Sequence, residues 1–256
     1  AYFGKVADDH LGKTFTHDLR ALGATYDTAP LSGGVATARC LVFVTPDGER
    51  TMTTFLGACQ NLGPADIDEE IVRASAITYM EGYLGAPPAA KEAFVKAADI
   101  AHQAGRQVAL SLSDSFCVDR FRSEFLDLLR DGKVDLVFAN ESELHSLYQT
   151  SDTEGALDAL QADVASAVVT RSEKGAMVLS GGARVSVPAK PIDRIADLTG
   201  AGDLFAAGFL YGLSRGAEPE TCARLGAMAA AEVISHFGAR PEVRLKDLAA
   251  GEGLLS

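Results

Sequence analysis

Short apolar runs alternate with longer amphipathic stretches along most of the chain, which predicts strands that alternate with helices. Several of the helical stretches end at a glycine, as helices commonly do. This order is typical of βαβ units and favours an α/β domain with a mainly parallel sheet. The predicted strands are 2–6, 76–81, 107–112, 134–138 and 165–170, a hairpin pairs 177–179 with 184–187, and the predicted helices are 10–22, 88–104, 118–130, 201–213, 219–235 and one that begins at Glu141.

A second hairpin interrupts the α/β pattern in the first quarter of the chain. Residues 35–45 and 51–56 are rich in strand-forming residues, and the Pro-Asp-Gly-Glu sequence of 46–49 between them is a turn signal. A hairpin beside a parallel sheet is a candidate lid that would exclude water from a reaction, and its alternatives are a decorated sheet edge or a dimer contact. We therefore predict a lid of residues 30–57 on a core made of 1–29 and 58–256.

Composition excludes several classes of protein. The formal net charge of −12 argues against nonspecific nucleic-acid binding, which needs a basic surface. No apolar run approaches the roughly 18 residues of a membrane span, so no membrane partner is expected. The four cysteines are far apart without a C-x-x-C pair, which argues against a zinc site or a disulfide framework and favours a reducing, cytoplasmic location.

The segment D-L-T-G-A-G-D of residues 197–203 carries the clearest chemistry. It leads directly into an apolar helix, and the unpaired N–H groups of a helix start favour anions such as phosphate. A carboxylate and a phosphate repel each other, so a carboxylate at this position suggests a catalytic role. The role that fits is a general base that accepts a proton from an attacking hydroxyl. The alternative is a buried loop-to-helix junction in which Asp203 is an ordinary first-turn charge.

Two other polar segments directly follow predicted strands, at the strand ends that face the ligand crevice of open α/β sheets. Asn140 and Glu143 stand one helical turn apart, and they form either a functional pair or a helix cap. Residues 170–175 contain Arg171 and Lys174, which supply local positive charge in an acidic protein; an exposed polar turn is the alternative.

The sequence D-L-T-G-A-G-D-L-F-A-A-G-F of 197–209 resembles the C-terminal signature of the ribokinase-like, or PfkB, carbohydrate and nucleoside kinases. The resemblance implies a three-layer αβα fold with a mainly parallel central sheet and a small β lid. It implies a kinase that uses ATP and Mg²⁺, in which Asp203 is the catalytic base. Gly200, Ala201 and Gly202 would form the anion hole for the transferring phosphate. Leu198 stands where the family usually has threonine.

The same resemblance extends to the other motifs. Asn140 and Glu143 match the N-x-x-E motif for Mg²⁺ and phosphate, with Glu143 acting through water. Residues 170–175 match a T-x-G-x-x-G nucleotide loop in which Ser172 replaces the first glycine. The loop after residue 234 would shelter adenine and complete a site for a monovalent cation such as K⁺. The residues implied in nucleotide binding are Asn140, Thr170, Arg171, Ser172, Gly175, Thr199, Gly202, His236 and Gly238, and those implied for the monovalent cation are Asp197 and Thr199.

The segments 110–117, 139–143 and 54–59 look most like the adenosine kinase branch. The acceptor would be adenosine, with a free sugar such as ribose or fructose second. Phe116 would suit stacking on a purine, and a core aromatic is its alternative. A non-catalytic nucleotide-binding protein on the same fold is the competing class, and a Rossmann dehydrogenase is disfavoured because no G-x-G-x-x-G follows a strand.

Residues 7–14 approximate a P-loop, but the first glycine is missing and Asp8 and Asp9 would repel phosphate. The family resemblance makes this stretch an ordinary helix start. The family's first strand and its sugar-binding segments do not precede Ala1, and Ser32-Gly33-Gly34 lies in the lid region and does not replace them. We therefore expect an unpaired sheet edge and poor activity from this chain alone. The residues leave open whether the protein is a monomer or a homodimer.

Overall fold

A computed structural model describes residues 1–85 and 87–255. The chain divides into two compact units, the first made of 1–41 and 52–110 and the second of 42–51 and 111–256. This division crosses the predicted lid, so the split into a core and a lid stays a prediction. In the described part of the chain, no helix has the length and apolar character needed to cross a membrane.

The first unit is built around neighbouring strands and the helices between them. The predicted strand 2–6 is wrong: Ala7 makes only an isolated bridge to Leu31, and Tyr2 packs with Phe15 and Tyr26 at ring-centroid distances of 5.8 and 5.7 Å. The aromatic pattern that suggested a strand therefore reflects a small ring cluster. The elements of this unit are α1 (His10–Ala21), then, after the hairpin, α2 (Glu69–Ala74), β3 (Ile77–Glu81), α3 (Pro88–Gln103) and β4 (Gln107–Ser111).

The start of α1 is an ordinary helix cap and not a phosphate loop. The carboxylate of Asp9 accepts hydrogen bonds from the N–H of Gly12 at 2.8 Å and from the N–H and hydroxyl of Thr37 at 2.9 and 2.7 Å. These donors hold the pKa of Asp9 at about 2. The carboxylate is thus committed to fixing the helix start and the chain that leads into the hairpin.

The hairpin consists of β1 (Arg39–Val44) and β2 (Arg50–Phe55), which form a separate two-stranded sheet. Its tip belongs to the second unit, where the N–H of Leu198 donates to the carbonyl of Gly48 at 3.1 Å. Gly48 has a φ of +83°, and a Cβ added there would lie 2.6 Å from Cγ2 of Ile195. The tip therefore contacts the segment that leads into the D-L-T-G-A-G-D turn.

The second unit contains a mixed sheet. Strands β5 (Leu136–Asn140) and β6 (Ser166–Thr170) pair in parallel, whereas β7 (Ala176–Ser180) and β8 (Ala183–Val187), the two strands of the predicted hairpin, continue the sheet antiparallel. Three short helices, α2, one at Thr153–Asp163 and one at Leu245–Gly251, are absent from the predicted elements, because six to eleven residues give too little periodicity. The helices of this unit are α4 (Ser115–Arg130), α5 (Glu141–Tyr148), α6 (Thr153–Asp163), α7 (Ala201–Ser214), α8 (Pro219–Val233) and α9 (Leu245–Gly251).

Close packing fixes helix α7, whose start carries Asp203. A Cβ on Gly208 would lie 2.5 Å from the carbonyl oxygen of Leu225, and one on Gly226 would lie 2.7 Å from that of Phe205. The glycines thus let α7 and α8 approach backbone to backbone. The ring of Phe209 also meets Phe138 of β5 edge to face at a centroid distance of 5.5 Å. Interdigitated packing of this kind leaves little freedom to the turn at the helix start.

Candidate active site

The turn at the start of α7 has backbone donors that the helix itself does not use. In the described residues, the backbone N–H groups of Gly202 and Asp203 have no backbone acceptor. A Cβ added to Gly202 would meet no atom within 4 Å. Free N–H groups at the positive end of a helix, next to open space, are suited to hold an anion. We call residues 199–203 the anion turn.

Gly200 is required here by conformation and by proximity. Its φ is +85°, in the left-handed region that favours glycine, and a Cβ there would lie 2.9 Å from Cβ of Ala239. Ala239 belongs to the loop that follows α8. The glycine therefore lets this loop lie directly against the anion turn.

Asp203 stands in the first turn of α7, where its side chain remains open to solvent. The surrounding protein nevertheless desolvates the carboxylate and raises its pKa, while the positive charge of Arg50 opposes the rise. A carboxylate whose pKa is raised toward neutrality is a better proton acceptor than an unperturbed one, provided that it stays ionised.

Arg50 is a site residue that the sequence reasoning missed. It begins strand β2 at the hairpin tip, and its charge contributes to the lowered pKa of Asp197 and opposes the rise in the pKa of Asp203. The available signal was a single arginine directly after the hairpin turn of a candidate lid in an acidic protein. Its charge beside the anion turn suits a site that binds phosphate.

The carboxylate of Asp197 holds the backbone of the anion turn and of the loop after α8 by hydrogen bonds. Its side chain is buried, with 3% exposed, and its oxygens accept from the N–H of Thr199 at 2.8 Å and the N–H of Gly238 at 3.0 Å. Burial acts to raise the pKa of Asp197, but hydrogen bonding from Thr199 and Gly238 and the charge of Arg50 together lower it. The hydroxyl of Thr199 is buried and makes no hydrogen bond of full geometry in the described part of the chain, but it lies close enough to the Asp197 carboxylate to help lower the pKa of Asp197.

Asn140 and Thr170 face each other as register partners at the ends of β5 and β6, as their places after two strands predicted. Asn140 forms a complete capping box with Glu143: its Oδ1 accepts from the N–H of Glu143 at 2.8 Å, and its own N–H donates to Oε2 at 2.9 Å. Asn140 Nδ2 donates to the remaining oxygen, Oε1, at 2.6 Å. Both oxygens of the buried Glu143 are therefore engaged, so a metal contact would run through water.

In the turn 170–175, Ser172 stands where the family pattern has its first glycine. Ser172 has a φ of +51°, so it adopts the left-handed conformation that the usual glycine accommodates. The turn closes with a hydrogen bond from the N–H of Arg171 to the carbonyl of Gly175 at 2.7 Å. Nε of Arg171 is buried without a hydrogen-bond partner among the described residues. A buried guanidinium donor without a partner would suit an anionic ligand.

Gly175→Ala is expected to destabilise the fold strongly, because Gly175 is held by packing. A Cβ there would lie 2.0 Å from the carbonyl oxygen of Val187, and the φ is +88°. We expect the free energy of unfolding to fall by about 3 kcal/mol or more. Gly181→Ala is the matched control, because Gly181 also has a positive φ but its Cβ would meet nothing within 4 Å. Urea unfolding measures both; equal losses would contradict the packing explanation.

Phe116 and His236 lie in different surroundings. The side chain of Phe116 is 75% exposed in the first turn of α4, so the alternative of a core aromatic is wrong and the ring is free to stack. His236 is largely buried, with its Nε2 3.3 Å from Oε1 of Glu232. The roles predicted for both residues as ligand contacts stay predictions. Within residues 1–85 and 87–255, no group of three or more His, Cys, Asp or Glu side chains could hold a metal.

A model of the pfkB family carbohydrate kinases matches residues 1–244. A protein from Rhizobium etli described as a probable sugar kinase is 54% identical with a TM-score of 0.97, over 99% of this chain and 77% of that one. The adenosine kinase from Sinorhizobium meliloti is 53% identical with a TM-score of 0.96, over 98% and 77%. The cytidine kinase of Thermococcus kodakarensis is 34% identical over 75% of this chain and 66% of the relative.

A more distant structure carries the same fold. An Escherichia coli protein described as a ribokinase II, solved with ATP and Mg²⁺, is 21% identical with a TM-score of 0.87, over 98% of this chain and 82% of that one. The predicted ribokinase-like α/β fold is thereby confirmed. The chain spans 66% of the cytidine kinase and 77% of the two solved relatives that are more than half identical to it.

Proposed function

The chain belongs to the pfkB family of carbohydrate kinases, and from this we propose that the protein transfers the γ-phosphate of ATP to a primary hydroxyl of a ribosyl substrate. One observation carries the proposal: Asp203, whose pKa is raised, stands at an anion turn in which the N–H groups of Gly202 and Asp203 have no backbone acceptor among the described residues. A base and a phosphate cradle side by side are what phosphoryl transfer to an alcohol needs.

In the proposed reaction, the oxygen of the acceptor hydroxyl attacks the γ-phosphorus, and Asp203 accepts the hydroxyl proton. The bond between the γ-phosphorus and the bridging oxygen breaks, and its electron pair leaves with ADP. The N–H groups of Gly202 and Asp203 stabilise the charge on the transferring phosphoryl group, since they are fixed by the helix and need no reorganisation. The charge of Arg50 supports the same group and keeps Asp203 ionised.

The remaining site residues fit the ligands that this reaction implies. Arg171 and the 170–175 turn would hold ATP, because Nε of Arg171 is buried without a partner among the described residues. Asn140 and Glu143 would hold a hydrated Mg²⁺ through water, since both Glu143 oxygens are already bonded. Mg²⁺ keeps several waters in such sites and would neutralise phosphate charge. The buried hydroxyl of Thr199 and the neighbouring Asp197 carboxylate are oxygen groups that would suit a monovalent cation such as K⁺.

Adenosine is the acceptor that we propose first. The 53% identity to the Sinorhizobium meliloti adenosine kinase supports it, as does the exposed ring of Phe116, which is available to stack on a base. A sugar acceptor is the second candidate, because the 54% identical Rhizobium etli protein is described as a probable sugar kinase. All four cysteines are free thiols, which is in keeping with our proposal that the protein works in the cytoplasm.

Adenosine is expected to stimulate ADP release from Mg-ATP by the full-length protein well above ribose, fructose and cytidine. The measurement is a coupled ADP assay with each acceptor in turn, and Asp203→Asn protein is the blank. Turnover with a sugar alone would move the protein to the sugar kinases. No turnover with any acceptor, in protein shown by calorimetry to bind ATP, would favour a non-catalytic nucleotide-binding protein.

A further inference from the structure

Glu232 occupies a position that is costly for a carboxylate. It lies in the last turn of α8, where the negative end of the helix dipole repels an anion, and the turn holds no basic residue. Its side chain is only 8% exposed, and its Oε2 is buried with no hydrogen-bond partner among the described residues. A buried anion persists only where compensating donors surround it.

The donors all converge on the other oxygen and come from both ends of one loop. Oε1 of Glu232 lies 3.3 Å from Nε2 of His236, at the beginning of the loop. The same oxygen accepts from the N–H groups of Glu242 and Val243 at 2.9 and 3.2 Å, at the end of the loop. A single carboxylate oxygen therefore closes the loop of residues 236–243 into a ring.

The middle of this loop lies against the anion turn. The N–H of Gly238 donates to Oδ2 of Asp197 at 3.0 Å, and Asp197 in turn accepts from the N–H of Thr199. Ala239 occupies the space where a side chain on Gly200 would stand. A continuous set of contacts thus leads from Glu232 through the loop to the backbone that would hold phosphate.

We propose that Glu232 is a positioning residue that fixes the 236–243 loop against the anion turn and thereby sets the affinity for the phosphates of ATP. The proposal rests on the proposed function, because the anion turn must bind ATP for the affinity to matter. The hydrogen bonds of the Glu232 side chain among the described residues go to His236, Glu242 and Val243, and none goes to the anion turn. It acts by limiting the freedom of Gly238 and Ala239, so that the anion turn is ordered before the nucleotide arrives.

The test compares Glu232→Ala and Glu232→Gln in the full-length protein, with Glu242→Gln as the matched control. The Glu242 side chain is 69% exposed, and its substitution leaves the backbone N–H that bonds Glu232 in place. We expect Glu232→Ala to raise the Kd for Mg-ATP about tenfold in calorimetry, because buried hydrogen bonds to a charged acceptor are lost. Glu232→Gln retains an acceptor oxygen and should stay within about threefold of the wild type, as should Glu242→Gln.

Amide hydrogen exchange without nucleotide provides a readout that does not depend on kinase activity. The N–H groups of Gly238, Glu242 and Val243 should lose protection in Glu232→Ala and keep it in the other two variants. Partial unfolding would lower the number of binding sites without changing Kd, so the two effects separate. Unchanged protection, or an unchanged Kd in Glu232→Ala, would overturn the proposal. Failure of the wild type to bind Mg-ATP would overturn the proposed function instead, while exchange would still decide whether Glu232 ties the loop.

Discussion

Asp203→Asn is expected to lower kcat by between about a hundredfold and ten-thousandfold, with little change in the Kd for Mg-ATP. The change removes the proton acceptor and retains the size and polarity of the side chain. It leaves untouched the backbone N–H groups of the anion turn, which hold the phosphate in our proposal. Steady-state kinetics with the best acceptor and calorimetry with Mg-ATP measure the two quantities separately.

Asp193→Asn is the control for this substitution. Asp193 is an exposed carboxylate in the segment that leads to the same turn, so its loss changes the net charge equally without touching the site. We expect wild-type kcat from it. If Asp203→Asn protein kept wild-type kcat, the assignment of Asp203 as the base would be wrong.

The same assignment fixes the pH dependence. A base must be ionised, so kcat/KM falls as the pH drops through the pKa of Asp203, which desolvation by the surrounding protein raises and the charge of Arg50 acts to lower. Removing the Arg50 charge in Arg50→Met leaves the raising effect unopposed. The acidic limb of the pH profile should therefore move to higher pH in Arg50→Met and stay in place in Arg39→Met, which removes an arginine at the other end of the hairpin. An unmoved limb in Arg50→Met would show that another group controls it.

Much of this site could be predicted because its residues stand in local motifs. The D-L-T-G-A-G-D segment lies within seven residues, and the places of Asn140 and Thr170 directly after apolar strands put them at one sheet edge. Helix α1 and the two hairpins were predicted for the same reason, since glycines and turn residues mark their ends. These predictions were possible because the residues that determine each feature lie close together in the sequence.

The parts that escaped prediction depend on contacts between distant residues. Arg50 reaches Asp203 and Asp197 only because the hairpin tip contacts the chain around residue 198. Gly175 leaves no room for a side chain because the carbonyl of Val187 lies beside it, a contact that the interpretation of 170–175 as a nucleotide loop did not include. In the sequence, Glu232 is a single charge in an alanine-rich helix. Its role depends on the loop beyond the helix, which folds back so that the N–H of Glu242 donates to it. No periodicity or spacing encodes such pairings.

Gly202→Ala is expected to abolish most activity while the fold keeps or gains stability. Gly202 is helical, its Cβ would meet no atom within 4 Å, and alanine is favoured over glycine in helices by up to about 1 kcal/mol. The added methyl group would project into the open space that we assign to phosphate. We expect kcat/KM for ATP to fall about a hundredfold or more, the loss typical when a transition-state donor becomes inaccessible.

Gly251→Ala makes the same chemical change as a control, because Gly251 is the last residue of α9, its Cβ would also meet no atom within 4 Å, and it lies far from the anion turn along the chain. Gly200→Ala is unsuitable, since its positive φ and the nearby Ala239 would disturb the fold itself. The decisive pairing is therefore a retained thermal midpoint with lost activity in Gly202→Ala alone. If Gly202 had only a structural role, Gly202→Ala would instead lower the thermal midpoint and leave the activity of the folded protein unchanged. Full activity in Gly202→Ala would mean that phosphate does not approach this turn, and the proposed anion site would have to be abandoned.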